Sequence, residues 1–296
     1  MDLPVEHLAT FAAIVDEGSF EGAARRLHLT PSAISQRVKS MEQRVGSVLL
    51  RRSRPIELTP AGSTILRVAR QLDRLADDAA RELGLGPGGG SVLPIVVNAD
   101  SLATWFVPAL ARAARETGAR FEVIRADETM STDRLRSGEA VAALTATREP
   151  VPGCTSTRIG VDRYRAVCSP GFAERHFSEG VTADSLGTAP MMEFDRHDAF
   201  QRRFIRRVTR AAIDPPRHFV PSSHEFALAI ELGIGWGMLP ELQCGRALEQ
   251  GLLVELGPGA PLEMPLYWQR WNLPSPLIDR LSAVVAEEAA LALGAQ

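Results

Sequence analysis

Ser32, Ser35, Gln36 and Lys39 recur at intervals of three, one and three, a spacing that gathers them on one face of a helix. Two hydroxyls, an amide and an ammonium on one helical face are suited to nucleic acid. A glutamine amide can pair with an adenine edge, while serine, lysine and arginine hold phosphates. On the opposite face Ile34, Val38, Met41 and Val45 repeat at four, three and four, and must turn inward. From Arg25 to Arg54 the cations Arg25, Arg26, Arg37, Lys39, Arg44, Arg51, Arg52 and Arg54 oppose the single acid Glu42. This segment carries +7, and the rest of a chain of net charge −3 sums to −10. A compact basic segment on an acidic protein is the electrostatic footprint of polyanion binding, although a solvated arginine-rich face has the same charge.

Catalytic chemistry finds no comparable support. The chain has no GxSxG elbow, no HExxH, and no GxGxxG between a strand and a helix. Gly233-Ile234-Gly235-Trp236-Gly237 has the wrong spacing for a dinucleotide loop and fits close packing of a helix on a strand. His197-Asp198 and His224-Glu225 are neighbours in sequence, so they do not face each other. Cys154, Cys168 and Cys244 are far apart, with no CxxC or Cys/His cluster, and are expected to be reduced structural thiols. No catalytic residue, metal or cofactor is therefore expected.

A binding site for a small molecule has more to recommend it. The apolar run at 92–97 ends in Asn98-Ala99-Asp100-Ser101, and Ser101 is expected to cap the helix that follows. A helix N-terminus at the carboxyl end of a strand suits an anion such as an α-carboxylate. The next strand ends in Asp127-Glu128-Thr129 and a later one in Thr145. Carboxylates beside an anion-binding helix end would suit a zwitterion with an additional positive charge. Ordinary capping by Ser101 and a solvated Asp127-Glu128 pair are the alternative.

The elements that must position these groups follow from periodicity. Leu8, Phe11, Ala12 and Val15 give a first helix after Pro4, ending near Gly18. Ser19 caps a second, with Phe20, Ala23, Ala24 and Leu27 inward, and Pro31 opens the third. Two helices joined by a tight turn make a helix-turn-helix. The run Val48 to Leu58, with its basic centre, reads as a β-wing, so 1–58 form a winged helix-turn-helix domain. Thr59-Pro60 opens a linker helix over 59–84, on which Ile65, Val68, Leu72, Leu75 and Ala79 make a seam. That seam pairs with a second copy or packs on its own domain. The stretch 85–91 is a flexible hinge; its glycines lack the GK[ST] of a phosphate loop. From Val92 strands and helices alternate, which predicts an α/β architecture built on parallel sheets. Helices are expected at 102–117, 132–137, 197–211, 223–232, 240–249 and 277–293.

With 296 residues, 45% of them apolar and 23% charged, the chain can bury a sizeable core. Disorder, collagen-like repeats and disulfide-stapled miniproteins are excluded. No uncharged apolar stretch is long enough to cross a bilayer, and a cytoplasmic location with no membrane partner is expected. Lys39 is the single lysine among 33 basic residues.

Asp16-Glu17-Gly18-Ser19-Phe20, AARRL at 23–27, TPSAISQRVKSMEQRVG at 30–46 and LTPAG at 58–62 resemble, in order and spacing, the DNA-binding domain of LysR-type transcriptional regulators. Asn98 to Trp105, Asp127-Glu128, Pro150 to Cys154, Gly235-Trp236-Gly237 and Leu266 to Trp271 resemble one subgroup, the arginine/lysine-responsive ArgP/LysG type. The resemblance implies a two-lobed, periplasmic-binding-protein-like α/β effector domain after the winged helix and linker helix. Lobe I would be 92–162 with 266–296, and lobe II 163–265. An effector lying between the lobes, a basic L-amino acid, would be held at its α-carboxylate by Ser101, Leu102 and Thr104. Asp127 or Glu128 would face an ammonium, and Thr145, Phe194, Asp195 and Ser223 would complete the wall. The DNA-binding residues implied are Ser32, Ser35 and Gln36 near bases and Arg37, Lys39, Arg51, Arg52 and Arg54 at phosphates. The partners implied are double-stranded promoter DNA, a second copy in a homodimer or dimer of dimers, and RNA polymerase, with activation of an amino-acid exporter gene as the outcome. Arg196 and His197 depart from what a cationic ligand's side chain would meet, which opens the way to a different effector. A free-standing amino-acid sensor and an architectural protein of replication origins are rival readings.

Overall fold

The computed structural model describes residues 3–51, 53, 56–85, 92–126, 128–257, 259 and 261–294, the side chains of 128–130 excepted. Arg52, Arg54, Asp127, the side chain of Glu128 and the hinge from 86 to 91 thus lie outside the described residues. Contacts divide the chain into two compact units. The first comprises Met1–Val97, Arg112–Thr157 and Trp268–Ala283, the second Asn98–Ala111, Arg158–Tyr267 and Val284–Gln296.

The first unit opens with α1 (Val5–Glu17), α2 (Phe20–Leu27) and α3 (Pro31–Val45). Each boundary has a local cause. Gly18, at φ 62°, ends α1, and the Ser19 hydroxyl accepts from the Gly22 N–H at 3.0 Å to cap α2. His28, left-handed at φ 54°, turns the chain out of α2, and Thr30 caps α3 by accepting from Ala33 N–H at 3.2 Å. Phe11, Ile14, Ile34, Met41 and Leu66 are fully buried in the core of this head. β1 (Leu50–Arg51) pairs antiparallel with β2 (Glu57–Leu58), Leu50 opposite Leu58, as the expected wing. Thr59 then caps α4 (Pro60–Glu82). Gly62 is required there because a Cβ would lie 2.0 Å from the Leu49 carbonyl oxygen.

The seam on α4 is divided. Ile65 is buried in the head's own core with Val68 packed against it, whereas Leu72 and Ala79 are exposed. Further along, Arg74 and Asp78 form a buried ion pair, and Asp78 also accepts from the Ser275 hydroxyl at 2.5 Å.

Beyond α4 the chain runs β3 (Val92–Val97), α5 (Ala99–Ser101), a π-helical stretch (Leu102–Phe106), α6 (Val107–Thr117), β4 (Arg120–Arg125), α7 (Glu128–Arg136) and β5 (Ala142–Thr145). β6 (Cys154–Cys168), α8 (Pro170–His176), α9 (Ala183–Thr188), β7 (Met191–Glu193), α10 (Phe200–Val208) and β8 (Arg217–Phe219) follow. The chain then adds α11 (Ser223–Glu231), β9 (Gly237–Pro240), α12 (Glu241–Glu249), β10 (Val254–Glu255), β11 (Leu262–Trp271) and α13 (Pro276–Leu293).

In the first unit the strand order is β11-β5-β3-β4, with β3 parallel to both β4 and β5. In the second, β6 lies between β10 and β11 and also carries β9; β10 and β9 are both antiparallel to it. The expectation of parallel sheets is corrected to a mixed architecture, since β6 is fifteen residues long and recruits antiparallel edges. α7 starts at Glu128 rather than Thr132, and α10 is shorter than 197–211 because a turn at Asp195–Asp198 occupies its expected first residues. α8, α9 and β10 were not anticipated; each is too short to display a period. The close-packing role of the glycine run holds: a Cβ at Gly237 would stand 2.8 Å from Ile230 Cδ1 and 3.1 Å from the Phe226 ring.

Candidate functional site

Helix α3 presents the first candidate surface. Ile34 and Met41 are fully buried and Val38 nearly so, which turns Ser32, Gln36 and Lys39 to the outside and leaves Ser35 half-buried. These four residues line a groove of about 520 Å³, together with Phe20, Glu42, Val48 and Leu50. The acid of the basic segment lines the same groove, half-buried, with Glu42 Oε1 accepting from the Leu49 N–H at 2.8 Å. Arg51 is exposed on the wing. Arg37 differs from the other cations. Its Nη1 donates to Thr10 Oγ1 at 2.9 Å and to the Glu6 carbonyl at 3.3 Å, so it ties α3 to α1.

The second candidate site belongs to the second unit and starts where β3 ends. Asn98, not Ser101, caps the helix: its Oδ1 accepts from the Ser101 N–H at 2.9 Å, and its carbonyl accepts from the Leu102 N–H at 3.1 Å. The expectation that Ser101 caps is therefore corrected, since the side chain three residues earlier has taken that role. Ser101 is instead fully buried, and its hydroxyl has no hydrogen-bond partner among the described residues. Thr104 donates its hydroxyl to the Asp100 carbonyl at 2.7 Å. The i→i+5 bonding of Leu102–Phe106 widens the helix at this point, a feature common near functional sites.

Asp100 is the hub of a polar network. Its Oδ2 accepts from the Tyr164 hydroxyl at 2.8 Å and its Oδ1 from the Ser223 hydroxyl at 2.7 Å. Gln243 Nε2 donates to the Ser223 carbonyl at 2.9 Å, and Tyr164 stacks on Phe200 with ring centroids 4.2 Å apart. Two residues before Tyr164, on the same face of β6, Asp162 is buried at 1% exposure. Burial pushes its carboxyl up to about 7, the neighbouring Asp100 charge adds to this, and a hydrogen bond from the Arg163 N–H opposes it. Burial likewise raises the Asp100 carboxyl, against the hydrogen bonds from Ser223 and Tyr164.

Of the remaining expected residues, Phe194 donates its N–H to Asp198 Oδ2 at 2.9 Å. Asp195 Oδ1 accepts from the N–H groups of His197 at 2.7 Å and Asp198 at 3.1 Å, so this carboxylate shapes the turn into α10. Arg196 lies over the Phe219 ring, 5.4 Å from its centroid. Thr145 belongs to the first unit; it is buried at the end of β5, where its Oγ1 accepts from the Thr147 N–H at 3.1 Å. The network thus brings together Ser223 and the start of the helix that carries Ser101 and Thr104. Asp100, Asp162, Tyr164 and Gln243 were not foreseen. The signal for Asp162 was its parity with Tyr164 and Ala166 in a strand whose alternate positions are the arginines Arg163 and Arg165.

Among the described residues no group of three or more His, Cys, Asp and Glu is placed to hold a metal, and no helix is long and apolar enough to cross a membrane. The three cysteines are unpaired, and burial pushes their thiols up to about 11 for Cys154 and about 12 for Cys168 and Cys244, far from a reactive thiolate.

A winged helix-turn-helix with an open donor face, followed by an α/β half with a buried polar network, defines a DNA-binding regulator with a ligand-binding part. Residues 5–63 match the family described as bacterial regulatory helix-turn-helix protein, lysR family, and residues 90–290 match the LysR substrate binding domain. The chain belongs to the LysR family of transcriptional regulators. It is 42% identical over 282 residues to the HTH-type transcriptional regulator LysG of Mycobacterium tuberculosis, covering 94% of this chain and 91% of that one. The crystal structure of ArgP from Mycobacterium tuberculosis superposes with a TM-score of 0.89 at 41% identity, over 96% of each chain. Full-length LysG from Corynebacterium glutamicum with bound effector Arg superposes with a TM-score of 0.87 at 34% identity, over 98% of this chain and 99% of that one.

Proposed function

We propose that this regulator reads promoter DNA through α3 and answers to a basic amino acid, lysine, arginine or histidine, by activating an amino-acid exporter gene. The observation that carries the DNA-reading half is the exposed Ser32, Gln36 and Lys39 face, with Ser35 beside it, on a helix whose other side is locked into the head's core. Ser32, Ser35 and Gln36 would approach base edges in the major groove, and Lys39, Arg51, Arg52 and Arg54 would neutralise phosphates. Arg37 keeps donors to spare beyond Thr10 and Glu6 and would join them. Support for the effector comes from relatives: one is named for lysine export, and the solved structure just described holds Arg. On this reading Ser101, Leu102, Thr104, Phe194, Asp195 and Ser223 of the second unit line the effector's seat.

Two heads are needed to read enough base pairs for selectivity, so the working form is a homodimer or dimer of dimers, paired along the exposed residues Leu72 and Ala79 of α4. Effector binding would favour one arrangement of the paired chains on DNA and so change access for RNA polymerase. It can do so only by its differential affinity for the two arrangements. The protein would act in the cytoplasm, where the promoter is, and without catalysis. Calorimetry of the full chain with lysine, arginine, histidine and leucine tests the effector. Saturable binding of a basic amino acid with none of leucine is expected, and binding of leucine alone would refute the assignment.

A further inference from the structure

Two carboxyl groups of the second unit are buried together without a cation. Asp162 is 1% exposed, and its Oδ2 has no hydrogen-bond partner among the described residues. Asp100 accepts from Tyr164 and Ser223, both neutral donors, so neither brings positive charge. Asp162 and Tyr164 share one face of β6, and Tyr164 touches Asp100, so Asp162 is turned to the same side. The other charges acting on the pair are acidic: Glu241 of α12 on Asp162, and Asp198 on Asp100. The nearby arginines are engaged elsewhere. Arg163 meets Glu263 of β11 at 3.5 Å, while Arg165 meets Glu241 at 2.6 Å and Glu255 at 2.8 Å.

A second observation points to a ligand. Ser101, next in the chain to Asp100, is fully buried with an unpartnered hydroxyl, and Trp105, four residues on, has an unpartnered indole N–H. Buried polar groups are nearly always hydrogen-bonded, and here donors and an acceptor stay open in one region. Hydroxyl and indole N–H complement a carboxylate, and a carboxyl oxygen complements an ammonium or guanidinium, which together is the polarity of an amino acid.

We propose that Asp162, with Asp100 beside it, receives the positively charged group of the effector, and that the carboxyl pair releases a proton to solvent when that group binds. The inference rests on the reading of a basic amino acid as effector. In the empty protein the pair avoids a buried unpaired charge by keeping a proton. The arriving cation takes the proton's place, the Asp162 O–H bond breaks, and the proton leaves to buffer. Because burial and Asp100 hold the Asp162 proton up to about 7, effector affinity should rise with pH below that point and level above it.

The test is calorimetric titration of the full chain with arginine at pH 6, 7 and 8, each in two buffers of different ionisation enthalpy. Close to one proton released per arginine is expected at pH 6 and nearly none at pH 8, with affinity rising about tenfold between them. In Asp162→Asn the release and the pH slope should vanish, and arginine should bind at least about tenfold more weakly at pH 8. Nα-acetylarginine keeps the guanidinium and lacks the α-ammonium charge, so proton release on its binding seats the guanidinium at Asp162, and its binding without release seats the α-ammonium there. Arginine binding at pH 6 without proton release, or an Asp162→Asn variant with wild-type affinity and pH profile, overturns the proposal while leaving the effector reading intact. Failure of lysine, arginine and histidine alike to bind overturns the effector reading and the carboxyl pair with it. A melting temperature for Asp162→Asn at or above wild type at pH 8 separates these outcomes from misfolding.

Discussion

Replacing Lys39 and Arg51 together by alanine should change how salt weakens DNA binding more than it changes the fold. Both side chains are exposed, one on α3 and one on the wing, and neither is packed into the core of the head. If each neutralises one phosphate, losing both lowers the slope of log affinity against log salt by about 1.8 per bound head, at about 0.9 per contact. A fourfold rise in salt, from 50 to 200 mM, would then cost the variant about tenfold less affinity than it costs the wild-type head. Fluorescence anisotropy on a promoter duplex over that range measures the slope, and a thermal melt confirms that the variant folds. A variant slope equal to wild type would mean that these cations do not meet the backbone, and the docking geometry would have to be abandoned. Arg37 provides the contrast. Arg37→Ala should also lower the melting temperature, because its guanidinium bonds Thr10 and Glu6.

Other outcomes follow from the second half of the chain. Asn98→Ala removes the cap of the helix entering the effector site, and urea unfolding should show a loss of about 0.5–2 kcal/mol. Gly237→Ala drives a methyl to within 2.8 Å of Ile230 Cδ1 and should destabilise by about 1–3 kcal/mol in the same assay. The folded-state carboxyl of Asp162 is raised from 3.8 to about 7, so the folded chain holds a proton that the unfolded chain loses earlier. Wild-type stability relative to Asp162→Asn should therefore be equal below about pH 4, decline as the pH rises towards 7, and stay lower above it. pH-dependent chemical denaturation of the two proteins checks the sign.

The head was legible because its information is local. Periods of three and four residues mark the buried faces of α1 to α3, and Ser19, Thr30-Pro31 and Thr59-Pro60 stand at the helix starts that they cap. The same kind of reasoning misassigned Ser101, since Asn98 and Ser101 are both good caps three residues apart and the choice depends on where β3 stops. The polar network was not legible for a different reason. Asp100 and Ser223 are 123 residues apart and meet through tertiary packing, which no local period encodes. Asp162 looks in sequence like one more acid among arginines, and its inward parity has meaning only once β6 is known to be buried on that face. Likewise, the α4 seam is a single stripe in the sequence, but burial divides it between the head's own core and an open segment.

The claim on which the account stands is that the Ser32-to-Lys39 face of α3 reads base pairs. Binding selection from a randomised duplex library, run in parallel for wild type, Gln36→Ala and Lys39→Ala, tests it directly. Gln36→Ala should relax preference at one position of each half-site by about 1–3 kcal/mol, while Lys39→Ala weakens binding evenly across sequences. An unchanged sequence profile for Gln36→Ala, at undiminished affinity, would contradict it.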